Sequence, residues 1–479
     1  MNHRRPFFAA CCFAATALSL FLAGCNSAES RAQEALADYQ QASAIGDAKA
    51  ARVALLRLVA AEDGNPEYWR ELGKLQVQLG AYNDAYYAFT RAHELDKSNA
   101  EVLSTLTQLA LLSGNLDLAE EHAQSLELVQ PSHPAIKLTY GYVALRRGNL
   151  DEADRRADQL LAEFPRESSS NLLKARVLLA RDKNEDAVKL LETQTTGAPN
   201  DAGSWKALVA LHERQGNWPA VTKAASQLYT INPRDPEPAY KAIDAAFRSA
   251  NTAAAVRLSE PFLRSEAPPE QANAVLTIWA ERWNTPEAAA EARRFMASAN
   301  PMHLFAYATF FNAIGRPEEA AELLGGATPR LPVTVTNQTL NALIAESMAL
   351  QGQRTEAKKL FDAVLANEPD HVYALRGRIN LEITTGQAKA AIVDAQRLVS
   401  VVPKSARYHL LLARAYAAAG ESRQVDRTLW NAFHNIPANV LLFEALRAHV
   451  QRSSGDDAAE RVTAEFQQQQ DAELSRELI

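Results

Sequence analysis

Apolar residues along most of this chain fall three and four positions apart, the spacing of a helix that buries one face. The stretch 66–99 shows it best. Trp69, Leu72 and Gly73 mark one helix, and Ala85, Phe89 and Ala92 mark a second. Gly80 stands between them, where a helix must end and the backbone turns through positive φ. The pair then repeats. Prolines recur 34 residues apart at Pro131, Pro165, Pro199 and Pro233, and Pro301 lies two periods beyond. Glycines keep the same period at Gly80, Gly114 and Gly148; Asp182 takes the next place and Gly216 resumes the series. Small residues follow it too, at Ala85, Ala119, Ala153, Ala187, Val221 and Ala255. Each proline stops a second helix and opens the next unit. Gly73 and Ala85 are small because the paired helices cross closely there, with Trp69 and Phe89 filling the space beside the crossing.

Unbroken units start at 66, 100, 134, 168, 202, 236 and 270, and a degenerate one precedes them at about 32–65 with Gly46 and Ala51 in place. After Pro301 the register slips by three residues, and the unit from 301 carries Gly315 and Ala320. The stretch Gly325–Thr336 is irregular, with Pro329, Pro332 and two glycines. The pattern resumes from 338 (Gly352, Ala357, Phe361, Pro369), from 372 (Gly386, Ala391, Pro403) and from 406 (Gly420, Pro437). A loose unit from 440 ends in a glutamine run, Gln467–Gln470.

This unit resembles the tetratricopeptide repeat, with its 34-residue period and W-LG-A-F-A-P skeleton. The resemblance implies an all-α fold, a right-handed superhelical solenoid of antiparallel helix pairs with about 13 units between 32 and 469. Departures are Lys97 in place of a proline, Asn171 and Lys137 at places usually bulky and apolar, and Pro261 inside an expected second helix. The irregular segment 325–337 is the expected linker between an N-terminal stack, 32–324, and a C-terminal stack, 338–479, with a polar capping end. The alternative there is a longer inter-repeat loop.

The first residues have another character. A basic start, His3-Arg4-Arg5, precedes an apolar run from Phe7 to Leu22 that is too short for a convincing membrane span. It ends in Leu22-Ala23-Gly24-Cys25, then polar Asn26-Ser27. The segment resembles a bacterial lipoprotein signal. That resemblance implies a cleaved signal peptide, 1–24, lipid on Cys25, and a short tether, 25–31. Several buried acyl chains give stable anchoring where one is marginal. All three cysteines, Cys11, Cys12 and Cys25, lie in this segment, so the body forms no disulfide. Asn26, not aspartate, after the lipidated cysteine points to the outer membrane over the inner, on the periplasmic face.

Charge changes the picture modestly. The chain has 50 Lys and Arg against 57 Asp and Glu, a poor balance for nucleic-acid binding. The sign is uneven: residues 66–133 hold 4 basic and 10 acidic side chains, residues 372–439 hold 9 basic and 4 acidic. Catalytic signatures are missing. No Gly-rich phosphate loop and no G-x-S-x-G elbow occurs. His93-Glu94 begins a zincin motif that Lys97 breaks, and the ten histidines are scattered singly. The expectation is no enzyme, no cofactor and no metal.

In the family the sequence resembles, ligands lie along the concave face on places 2, 5, 9 and 12 of each unit. Carried over, those places hold Arg70, Lys74, Leu138, Tyr142, Arg176, Tyr240, Phe247, Phe305, Tyr373, Arg376, Asn380, Arg407 and Arg414. Aromatic and cationic residues together suit an extended peptide or a helix laid in a groove. Arg376 and Asn380 resemble part of a carboxylate clamp that lacks its second-repeat asparagine. The resemblance therefore implies a lipid-anchored adaptor for protein partners of the cell envelope, in secretion, pilus or exopolysaccharide-export assembly. The alternative is direct binding of an anionic polysaccharide in the basic distal groove.

Overall fold

A computed structural model of the chain describes residues 28–264, 266–297, 300–326 and 328–477. The leader, with Cys25, lies outside them. Among the described residues are 26 α-helices, one short 3-10 helix and no strand. Eleven successive helix pairs pack antiparallel within the two units, from Ala28–Ala44 with Ala48–Ala61 to Val440–Ser454 with Asp456–Glu477. The all-α repeat solenoid expected from the spacing is the fold observed. The first helix begins at Ala28, four residues before the expected start, so only Asn26 and Ser27 separate it from Cys25.

Each unit is built as its residues dictate. Asn65, Asn99, Asn115, Asn149 and Asn217 cap helix N-termini by accepting a backbone N–H, which satisfies a donor the helix leaves free. Prolines open several first helices, where their missing N–H costs nothing. The turn between paired helices is left-handed at Gly46, Gly80, Gly114, Gly148, Gly216, Gly315, Gly352, Gly386 and Gly420. Asp182 (φ 59°) and Ala250 (φ 56°) hold the same conformation without glycine. The crossing predicted at Gly73 is close: a Cβ there would lie 2.7 Å from the Phe89 ring. Gly377 repeats the arrangement against Phe361, at 2.5 Å.

One departure from the skeleton has a structural reason. Trp69 and Trp205 sit at place 4 of their units and donate the indole N–H to the carbonyl six residues back, Asp63 and Pro199, each at 2.8 Å. Asn171 at the same place is buried and donates its amide to Pro165 O at 3.1 Å and to Glu167 O at 3.0 Å. His409, also at that place, brings Nε2 to 2.8 Å from Pro403 O. Different side chains therefore make one bond, which ties these four first helices to the loops before them.

The chain divides into two compact units, one ending at Asp182 and the next starting at Lys183. The segment 325–337, where the sequence placed a linker, lies inside the second unit. It follows a second helix of only seven residues, Pro317–Leu323. Asn341 fixes it by accepting from Arg330 N and donating to Arg330 O, both at 2.9 Å, and Asn337 donates to Pro332 O at 3.1 Å. Buried residues on both sides of it, Leu324 and Ala342 among them, share one core.

Within the second unit the helices curl back on themselves. The last helix, Asp456–Glu477, packs against Ala202–Gln215. Arg407 donates from Nε and Nη2 to the two carboxylate oxygens of Glu281, the second bond at 2.8 Å. Arg248 approaches Glu444 at 3.9 Å. First helices of early repeats thus face those of late repeats across a narrow interior.

Candidate functional site

In the first unit, the groove residues foreseen from the sequence are largely engaged with one another. Arg70 pairs with Glu67 at 2.5 Å and with Glu101 at 3.5 Å, and Lys74 reaches Glu101 at 2.8 Å. That hydrogen bond from Lys74 holds the Glu101 carboxyl below its ordinary range. Tyr142 does not present its ring to a ligand. It is 2% exposed, with the Arg176 guanidinium 5.4 Å above it, so place 9 of this repeat is core. Leu138 is partly buried against that same cluster.

An exposed apolar cleft of this unit lies elsewhere, at the edge where repeats turn. Tyr82, Tyr86, Leu109, Leu112 and Leu118 surround a cleft of about 500 Å³. Tyr82 is 53% exposed and Leu112 is 58% exposed. Tyr86 fixes the floor, its hydroxyl 2.8 Å from Nε2 of His122. Burial lowers the pKa of that histidine, so it remains neutral over a wider pH range. Sequence reasoning missed these residues because place numbers point inward and the cleft opens at the inter-helix turns. The adjacent Tyr82 and Leu112, each flanking a turn glycine, were the available signal.

In the second unit the foreseen distal residues do come together. Arg376, Asn380, Arg407 and Arg414 line one pocket of about 340 Å³, with Asn273 and Thr277 from the facing helix Pro269–Arg282. Arg376 pairs with Glu346 at 2.8 Å and lies 5.3 Å over the Tyr373 ring. Arg407 is held by Glu281. Arg414 has no ion-pair partner among the described residues. Phe305 is 36% exposed and lines none of these cavities.

A larger cavity of about 700 Å³ adjoins this pocket, sharing Ser405 and Arg407. Tyr240 lines it, packed on Phe262 at 5.4 Å, and burial pushes its phenol up to about 12. Phe247 instead stacks toward Trp279 and Trp283 as part of the core. Several charges around the cavity are paired. Lys241 meets Glu213 at 2.9 Å, and Arg248 and Arg282 share Asp244, each at 2.6 Å. Among the described residues no cluster of His, Cys, Asp or Glu is placed to hold a metal, and no helix is long and apolar enough to cross a membrane.

The helix-pair solenoid, with inward small residues and glycine turns every 34 positions, defines a repeat protein whose surfaces serve binding. Profiles of the tetratricopeptide repeat match residues 76–140, 144–211 and 350–399. Those residues are tetratricopeptide repeats. Similar solved structures include PilW, described as a widely conserved type IV pilus biogenesis factor. It is 16% identical, the alignment covering 41% of this chain and 91% of that one, with a TM-score of 0.32. A MamA protein is 18% identical over 35% of this chain and 91% of its own, with a TM-score of 0.30. A tetratricopeptide repeat protein from Parabacteroides merdae is 16% identical over 56% and 93%, with a TM-score of 0.30. At these scores the likenesses carry no argument about partners. No curated protein matches the chain.

Proposed function

We propose that this protein is a non-catalytic scaffold, anchored by lipid on Cys25 to the periplasmic face of a bacterial membrane, the outer one over the inner. There it holds protein partners of an envelope, secretion, pilus or exopolysaccharide-export assembly. The leader motif, Leu22-Ala23-Gly24-Cys25, supports the anchor. The observation that carries protein binding is the cleft around Tyr82 and Leu112. Exposed aromatic and aliphatic side chains around a preformed depression are what a partner's apolar anchor residues need. The surrounding repeats, 66–133, are acidic, so the fitting partner presents apolar side chains flanked by lysine or arginine.

A photo-crosslinking amino acid at Tyr82, in cells expressing the full chain, tests this reading. The expected result is one discrete envelope protein in the adducts, lost when Leu112→Asp is added. Absence of any protein adduct from a folded, membrane-associated chain overturns it. A probe at Tyr142 would give no information, because that ring is buried.

A further inference from the structure

We propose that the pocket between helix Pro269–Arg282 and helices Val372–Thr384 and Ala406–Ala418 binds one acidic sugar unit, a hexuronate, of an anionic glycan. The inference does not depend on the protein-binding cleft, which lies in the other unit. Its volume of about 340 Å³ is at the small end of ligand sites, which run from roughly 300 to 1,000 Å³.

The chemistry of the lining is one-sided. No aspartate or glutamate lines the pocket. Two of its three arginines already hold a carboxylate, Arg376 on Glu346 and Arg407 on Glu281. Arg414 holds none among the described residues. One uncompensated guanidinium calls for one carboxylate, which it can grip with two parallel hydrogen bonds.

The remaining groups read hydroxyls. The side chains of Asn273, Asn380 and Tyr408 make no hydrogen bond to the protein among the described residues. An amide donates and accepts at once, as neighbouring hydroxyls on a pyranose do, so two amides and a phenol match a polyhydroxylated ring. Burial pushes the Tyr408 phenol up, which keeps its proton available for donation. A peptide's side chains would instead seek a deep apolar pocket, whereas the apolar surface here comes from Leu410, Leu411 and the Tyr408 ring beside three arginines and two amides. The adjoining 700 Å³ cavity, which shares Ser405 and Arg407 with the pocket, gives neighbouring sugars a place.

Calorimetric titration of the full chain with trigalacturonate at low salt tests the assignment. Saturable binding is expected, weakened by added salt and absent for neutral maltotriose. Losing the charged hydrogen bonds in Arg414→Gln should weaken it by about tenfold or more. Arg414→Glu should abolish it, with the thermal unfolding of both variants unchanged. Asn380→Leu, which leaves every arginine in place, should weaken it as well. The proposal falls if trigalacturonate does not bind, or if binding survives Arg414→Glu in a folded protein. It also falls if a short peptide with a free C-terminal carboxylate, or inorganic phosphate, binds more tightly at the same site. None of these outcomes bears on the Tyr82 adducts, so the scaffold reading stands or falls separately.

Discussion

Arg407 and Glu281 are 126 positions apart in sequence, yet the guanidinium donates two hydrogen bonds to the carboxylate across the interior of the second unit. The bond joins helix Ala406–Ala418 to helix Pro269–Arg282. It works beside the packing of helix Asp456–Glu477 on Ala202–Gln215, so it fastens a curl that apolar contact already favours. Both side chains keep contact with water, which screens the attraction. The expected contribution is therefore small. A double-mutant cycle of Arg407→Ala and Glu281→Ala, read by thermal unfolding, should give a coupling of about 0.5–1 kcal/mol. High salt should shrink it. A coupling indistinguishable from zero at low salt would show that the two residues do not meet in solution.

The glycines at helix crossings should resist even a methyl group. At Gly377 a Cβ would sit 2.5 Å from two ring carbons of Phe361. Phe361 is fully buried and has no open side to move toward. Gly377→Ala should cost about 1–3 kcal/mol by overpacking, and Ala153→Leu a similar amount, since Ala153 is also fully buried. Gly64→Ala is the control: nothing lies within 4 Å of a Cβ there, and its stability should match the parent. Equal melting temperatures for Gly377→Ala and Gly64→Ala would refute the close crossing.

Two turn positions should gain from the glycine they lack. Asp182 and Ala250 hold the left-handed backbone that glycine holds in the other repeats. An L residue in that region is strained by roughly 1–2 kcal/mol, partly offset by the entropy glycine loses on folding. Ala250→Gly is exposed and should stabilise the chain by about 1 kcal/mol, seen as a higher denaturation midpoint with an unchanged slope. A lower midpoint would contradict the assigned backbone.

How much of this was legible in the sequence depends on how local the cause is. The helices follow from spacing within 34 residues, and 26 are present among the described residues. The turn at Ala250 was hidden, because the conformation persists where its usual residue does not. Asn171 read as a departure, although it makes the carbonyl bond that Trp69 makes. The distal set Arg376, Asn380, Arg407 and Arg414 was found from place numbers. Asn273 and Thr277, at places 4 and 8 of their unit, were not, since facing residues are set by rotation accumulated over several repeats. Place numbers also misled at Tyr142, where the ring turns into the core.

The anchor has its own test. If Cys25 carries lipid, the chain should sediment with membranes and leave them on detergent extraction. Cys25→Ser should move it to the soluble periplasmic fraction without changing its melting temperature, because it removes only the lipid's attachment point. Retention of Cys25→Ser in the membrane fraction would remove the lipid from the proposal.

Glu382 should make stability depend on pH near neutrality. It is 3% exposed, and one carboxylate oxygen has no hydrogen-bond partner. Burial, with repulsion from Asp394, pushes its carboxyl up to about 7 against the pull of Arg378 and Lys358. Asp362 adds to the repulsion. Arg378 is itself spent on Asp394 at 2.6 Å and Asp362 at 2.8 Å, and Lys358 stands 4.0 Å away. The folded state therefore holds this proton more tightly than the unfolded chain, whose glutamate titrates near 4.5. Stability from the protonated group is complete below that value and is lost as pH rises through about 7. The loss should reach about 3–3.5 kcal/mol by pH 8 at the usual ~1.4 kcal/mol per unit. Glu382→Gln keeps the shape without the charge, so it should be more stable than the parent at pH 8, with the gap closing toward pH 5. Chemical denaturation of both proteins at the two pH values decides it: a gap that does not change with pH would mean that Glu382 titrates in its ordinary range.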